Sequence, residues 1–204
     1  DVVSDESWTT VPSPITFNNM YGGEDYDARL EQTGWDKVRF DDSGWKKALV
    51  VDGPRGALRA EYDHPVRFME TFPAIHVRKV DKNTYIYDFG QDVSAVPQII
   101  VNGKAGQAIR MTPVEALDQH GQIKPLRSAT PHFYTYTLKG RGKEKWSPRF
   151  TYFAVRYVQV ELLIGDADAS SALPVVEDIQ LLHNRNSTPS TGSFTTSNEL
   201  FNRI

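Results

Sequence analysis

Alternation with a period of two residues constrains this chain more than any other feature. Tyr85, Tyr87 and Phe89 fall on one face of an extended segment, with Ile86 and Asp88 on the other. Residues 93–101 continue the pattern, interrupted by Pro97, whose missing N–H implies an edge strand or a bulge. Asn102-Gly103 and Ala105-Gly106 then carry turn chemistry. Residues 108–112 and 133–138 read as further strands, the latter with Tyr134, Tyr136 and Leu138 on one face. Gly140-Arg141-Gly142 turns the chain towards Trp146, and β-rich runs follow at 152–163 and 175–182. Strands between turn signals, with hardly a helical period among them, predict an all-β fold: an antiparallel β-sandwich, jelly-roll or fibronectin-like, over residues 66–184.

The flanks differ. Residues 1–65 are broken by proline, glycine, asparagine and aspartate, with short strands expected only at 14–20 and 49–51. So few elements bury too little surface to hold together unaided. They are expected to be the closing part of a second β-sandwich whose earlier strands lie upstream, consistent with a first residue, Asp1, that is not an initiator methionine. Residues 185–204 read as a polar linker and a helix start. Ser197 is the expected N-cap, Glu199 sits in the first turn, and Leu200, Phe201 and Ile204 share an apolar face. Two turns do not repay helix nucleation, so the helix is expected to open a further, helical domain.

Composition excludes several classes. A net charge of −3 over 204 residues offers no field for a polyanion. The one basic cluster, Lys139, Arg141, Lys143 and Lys145, lies among glycines and reads as a solvated hairpin tip. No apolar run approaches a membrane span. Without cysteine there is no disulfide framework and no thiolate chemistry. The five histidines lack metal-ligand spacing, and no nucleophile elbow or phosphate loop is present.

The chemically richest stretch is Tyr21-Gly22-Gly23-Glu24-Asp25-Tyr26-Asp27-Ala28-Arg29. Clustered carboxylates and amides suit a hard cation, so Asn18, Glu24, Asp25 and Asp27 are candidate calcium ligands. Asn19, Tyr21, Glu24, Asp27 and Arg29 are candidate sugar-binding residues. The competing reading is structural: Glu24 and Asp27 satisfy backbone amides or pair with Arg29, and Gly22-Gly23 supplies unusual backbone angles. Trp8, Trp35, Trp45 and Trp146 suit either sugar stacking or core packing, and Trp35 and Trp45 read as half-buried wedges under a loop.

Four landmarks in order resemble the bacterial α-L-rhamnosidases. They are residues 21–29, the Gly34-Trp35 and Gly44-Trp45 block around Phe40-Asp41-Asp42, Tyr87-Asp88-Phe89-Gly90-Gln91, and Pro148-Arg149-Phe150-Thr151-Tyr152 with the strand after it. The chain departs from the family at Asp92-Val93-Ser94-Ala95-Val96, where a glycine-tryptophan pair is more usual. The resemblance implies a non-catalytic region, with an acid–base carboxylate pair downstream of Ile204 in an (α/α)6 domain of the same chain. It implies an inverting reaction on rhamnose-containing carbohydrate, with no required cofactor, calcium as a possible ligand, and a periplasmic or extracellular setting. An autonomous carbohydrate-binding module and an adhesion-type sandwich are the rival readings.

Overall fold

A long strand needs partners along both edges, and one such strand organises the whole molecule. The computed structural model describes residues 3–53, 55–123 and 132–203. Its strands are β1 (Thr9–Thr10), β2 (Ile15–Asn19), β3 (Gly23–Asp27), β4 (Lys46–Lys47), β5 (Val66–Pro73), β6 (His76–Lys79), β7 (Thr84–Asn102), β8 (Ala108–Val114), β9 (Phe133–Thr137), β10 (Glu144–Trp146), β11 (Phe153–Leu163) and β12 (Val175–Asn186). A 3-10 turn covers Ala28–Leu30, and one short helix, α1, covers Glu199–Asn202. The fold is all-β and sandwich-like, as the alternation predicts.

The hydrogen-bonded path runs β2-β3-β9-β8-β11-β7-β12-β5. Strand β7 pairs with β11 over residues 84–95 and with β12 over residues 95–102. Because Ala95 faces both Phe153 and His183, β11 and β12 occupy opposite edges. The short β6 then takes the edge that β12 leaves open at Tyr85–Asp88, and β10 takes the edge that β11 leaves open at Ile99–Val101. Pro97 lies opposite Leu181 on one edge. On the other it falls in the gap between the partners of Ala95 and Ile99. A residue without an N–H is tolerated in this central strand because the ladder there is one-sided.

Residues on alternate positions of β7, β8, β9, β11 and β12 form one core that includes Ile99, Met111, Tyr134, Val158 and Leu181. Each such large side chain, sealed from water, contributes about 1.5–3 kcal/mol relative to exposure. Tyr26, Tyr136 and Trp146 stack within it, with ring centroids 5.2–5.9 Å apart. Tyr26 thereby ties β3 into the main body. The β3–β9 ladder, Gly23↔Phe133 through Asp27↔Thr137, is parallel, in contrast to the antiparallel pairing expected throughout. Within residues 1–65, β2 and β3 extend the large sheet, while β1 and β4 form a separate two-stranded ladder.

Several local expectations need correction. Residues 49–51 form no strand; Leu49, Val50 and Val51 stand in solvent with no partner edge beside them. Strand β12 runs to Asn186, two residues into the expected linker, because it continues pairing with β5 as far as Val66. The cap of α1 is Asn198, not Ser197: the Asn198 side chain accepts from the Leu200 amide at 3.0 Å. Leu200 and Phe201 are exposed, and Ile204 lies outside the described residues.

Candidate functional site

Strand alternation decides what the 21–29 segment can do. In β3, Glu24 and Tyr26 point into the molecule, while Asp25 and Asp27 take the other face. Glu24 has 0% exposure. Its Oε2 accepts from Asn18 Nδ2 at 3.4 Å and from the Arg149 amide at 3.1 Å, stitching the β2–β3 hairpin to the segment before β11. Asp27 accepts both from the Arg29 amide and from the Arg29 guanidinium, which bridges onward to Asp166 at 3.0 Å. Asn19 Oδ1 accepts from the amides of Tyr21 and Gly22 and so closes the hairpin turn, leaving Tyr21 exposed at its tip.

These residues therefore do not converge on one point. A calcium ion takes six to eight oxygens around a single centre. Here Asn18 donates only to Glu24 Oε2, leaving Glu24 Oε1 and Asp25 Oδ1 buried without a partner, but Asp27 is held in the arginine fork and Asp25 faces away from Glu24. The four candidates do not fit a shared ion. Among the described residues no group of three or more histidines or carboxylates gathers to hold a metal.

An open cavity of about 730 Å³ lies beside this segment, between residues 9–14 and the 31–36 turn. Its floor is Tyr26 with an ion pair: Tyr26 Oη donates to Glu31 Oε1 at 3.0 Å, and Lys139 Nζ meets Glu31 Oε2 at 2.6 Å. Burial, then the nearby Glu31 carboxylate, push the Tyr26 phenol up to about 12. Trp35, Trp45 and Arg149 complete the lining. Trp35 is 67% exposed, so it is no wedge: the tight turn that donates its amide to the Gln32 carbonyl holds the ring out over the cavity. Trp45 is half-buried, as expected, against Phe40 at 5.6 Å. Only Trp146 is a core tryptophan.

Two carboxylates that the sequence reading left aside organise more structure than Asp25 does. Glu144 is buried and accepts from Tyr136 Oη, Lys139 N and Gly140 N at 2.8–3.0 Å, pinning the 138–144 turn. The basic cluster does stand at a solvated turn, with Arg141, Lys143 and Lys145 exposed, and that turn is anchored by the one acid the cluster surrounds, with Lys139 on Glu31 and Lys143 on Glu177. A lone acid among four bases in a glycine-rich turn was the available signal. Asp88 receives a fork from Arg156 at 3.0 and 3.1 Å and also accepts from the Gly90 amide. Arg156 sits where the β11–β7 register shifts between Val155 and Tyr157, an irregularity that re-aims its side chain.

Hydrogen bonds from the two arginine forks hold the carboxyls of Asp27 and Asp88 below the usual carboxylate range. The folded state therefore binds fewer protons than the unfolded one as the pH falls past about 3.9. The stability these groups contribute is present above that value and is lost as the pH drops through their lower folded values. Thermal unfolding midpoints should decline on acidification below about pH 4, and Asp88→Asn should make the decline shallower. Identical profiles for the two proteins would remove Asp88 from the account.

Residues 1–70 match the family model of the α-L-rhamnosidase N-terminal domain. Residues 78–179 match that of the bacterial α-L-rhamnosidase concanavalin-like domain. An α-L-rhamnosidase of Formosa agariphila is 34% identical over 98% of this chain and 21% of its own length. Among solved structures, the α-L-rhamnosidase of Dictyoglomus thermophilum superposes with a TM-score of 0.87 at 36% identity, covering all of this chain and 22% of that one. The Streptomyces avermitilis enzyme complexed with L-rhamnose gives 0.84 at 32% identity, over 99% and 19%. The chain thus spans about a fifth of the length of the relatives it matches.

Proposed function

The chain belongs to the bacterial α-L-rhamnosidase family, of which it carries the N-terminal and concanavalin-like domains, and from that premise we propose that it is a non-catalytic scaffold. It braces a separate domain of the same enzyme that hydrolyses terminal α-L-rhamnose from a glycan or glycoside. No cofactor enters this reading. The state of the carboxylates carries it. Glycoside hydrolysis needs two carboxyl groups about 5–10 Å apart across an open cleft, one of them free to deliver a proton. Here Glu24 is sealed, Asp27 lies in the Arg29 fork, Glu31 is divided between Tyr26 and Lys139, and Glu144 is divided among hairpin donors. A braced sandwich is instead suited to holding a neighbouring cleft rigid.

The test is direct. The purified 204-residue chain, incubated with an aryl α-L-rhamnoside, should release no aglycone above the blank. Turnover that disappears on substitution of one carboxylate of this chain would overturn the proposal.

A further inference from the structure

The chain between β4 and β5 is anchored at both ends and bare between them. At one end the Ala48 amide donates to the Trp8 carbonyl at 2.9 Å. At the other, the Ser187 amide meets the Pro65 carbonyl at 3.1 Å and Asn186 Nδ2 meets the His64 carbonyl at 2.8 Å. Within residues 55–63 no backbone group bonds to another described residue, and every residue is exposed, Leu58 and Tyr62 almost completely. Two arginines stand in this stretch, each followed by a small residue: Arg55-Gly56 and Arg59-Ala60. An endoprotease takes its substrate as an extended strand, pairing with free backbone groups over several residues. Residues 55–63 offer such a strand without any local opening. Lys46 and Lys47 are paired with β1, and Arg67 with β12, so those sites must open before they can be cut.

A cut in this stretch severs the one covalent link between residues 1–47 and the rest of the sheet, yet many other contacts cross the same divide. Five residue pairs of the parallel β3–β9 ladder do so. Tyr26 stacks on Tyr136 and lies against Trp146. Glu24 accepts from the Arg149 amide, and Thr151 Oγ1 donates to the Met20 carbonyl at 2.9 Å. Two ion pairs, Glu31 with Lys139 and Arg29 with Asp166, close the perimeter. Both strands of the β1–β4 ladder fall on the same side of the cut and stay together.

We infer that residues 55–63 are a cleavage site for an arginine-directed endoprotease, and that cleavage leaves the two pieces locked in one body. Hydrolysis of the Arg55–Gly56 or Arg59–Ala60 bond consumes one water and leaves a carboxylate on the arginine and an ammonium on its neighbour. The smaller piece has no core of its own to retreat to. Among its described residues, Tyr26 and Ala28 are the only buried apolar side chains, and both belong to the cluster built by the larger piece. It therefore keeps its structure only while docked. The gap between the two family matches, at residues 70 and 78, is accordingly no boundary between independent folding units.

Limited trypsin digestion of the 204-residue chain, read by mass spectrometry and native gel filtration, tests both halves of the inference. New N-termini are expected at Gly56 or Ala60, with both pieces eluting together at the volume of the uncut chain and parting only in denaturant. Arg55→Gln combined with Arg59→Gln, at two exposed positions, should abolish these cuts and leave the elution volume unchanged. Arg55 and Arg59 bonds that outlast those after Lys47 and Arg67 would overturn the cleavage site. Pieces that separate on the native column would overturn the lock. Neither failure touches the scaffold proposal, which turns on the absence of rhamnoside turnover.

Discussion

Gly23→Ala is expected to destabilise the chain by at least about 3 kcal/mol, lowering its melting temperature by roughly 6–12 °C. Gly23 has φ +97°, a region that L side chains rarely adopt, and an added Cβ would lie 1.9 Å from the Phe133 carbonyl oxygen. That oxygen belongs to the residue opposite Gly23 in the parallel β3–β9 ladder. The methyl group cannot be accommodated by a side-chain rotation; the two strands must part. Parting them withdraws Tyr26 from its stack and Glu24 from the Arg149 amide. Gly142→Ala separates backbone strain from collision, since Gly142 has φ +89° but nothing within 4 Å of a built Cβ. It should cost only about 1 kcal/mol. Equal losses in the two variants, read by thermal or denaturant unfolding, would show that β3 and β9 are not locked together as described.

Glu144→Ala should cost a similar amount, about 3–5 kcal/mol, by a different route. It removes one carboxylate and leaves the Tyr136 hydroxyl and the amides of Lys139 and Gly140 without their acceptor. An orphaned buried donor loses the hydrogen bond and keeps its desolvation cost, about 1–3 kcal/mol each. Burial, then the hydrogen bond to Glu144, push the Tyr136 phenol upward, so it stays a donor throughout the accessible pH range. Glu144→Gln keeps an acceptor oxygen and should recover part of the loss. Tyr136→Phe alone should cost about 1 kcal/mol. Combined with Glu144→Ala it should add less than that, since the donor it removes is already orphaned. Full additivity in the double-mutant cycle would mean that the Tyr136–Glu144 bond contributes nothing.

The two predictions differ in how much warning the sequence carried. Gly22-Gly23 within a polar run announces an unusual backbone, and the structure places the demand at Gly23 by a close strand approach. Glu144 was hidden by its surroundings. Four basic residues suggest a solvated tip, and only the folded turn shows the backbone amides of Lys139, Gly140 and Arg141 turned onto one buried acid. The candidate calcium and sugar ligands failed to converge for a related reason. Residues adjacent in a strand point to opposite faces, so Glu24 and Asp25 cannot serve one small ion without breaking the ladder. Trp35 misled in the other direction, because a glycine-tryptophan pair does not reveal whether a turn folds its ring inward or outward.

What the sequence determined alone was the class of fold, its longer central strands β7, β8, β9, β11 and β12, and the family landmarks. Each is a local property: alternation, turn residues and short motifs act within a few positions. What only the tertiary structure decided was which groups are sealed, which are paired and which line an open cavity. Glu24 meets the Arg149 amide, Arg29 meets Asp166, and Lys139 meets Glu31, across 125, 137 and 108 residues of chain. Such distances are set by ladder pairing and by the edge choices of β7, where one strand exchanges its neighbours at Ala95. Period-two patterning records the face a residue takes, but it carries no record of the residue it will face.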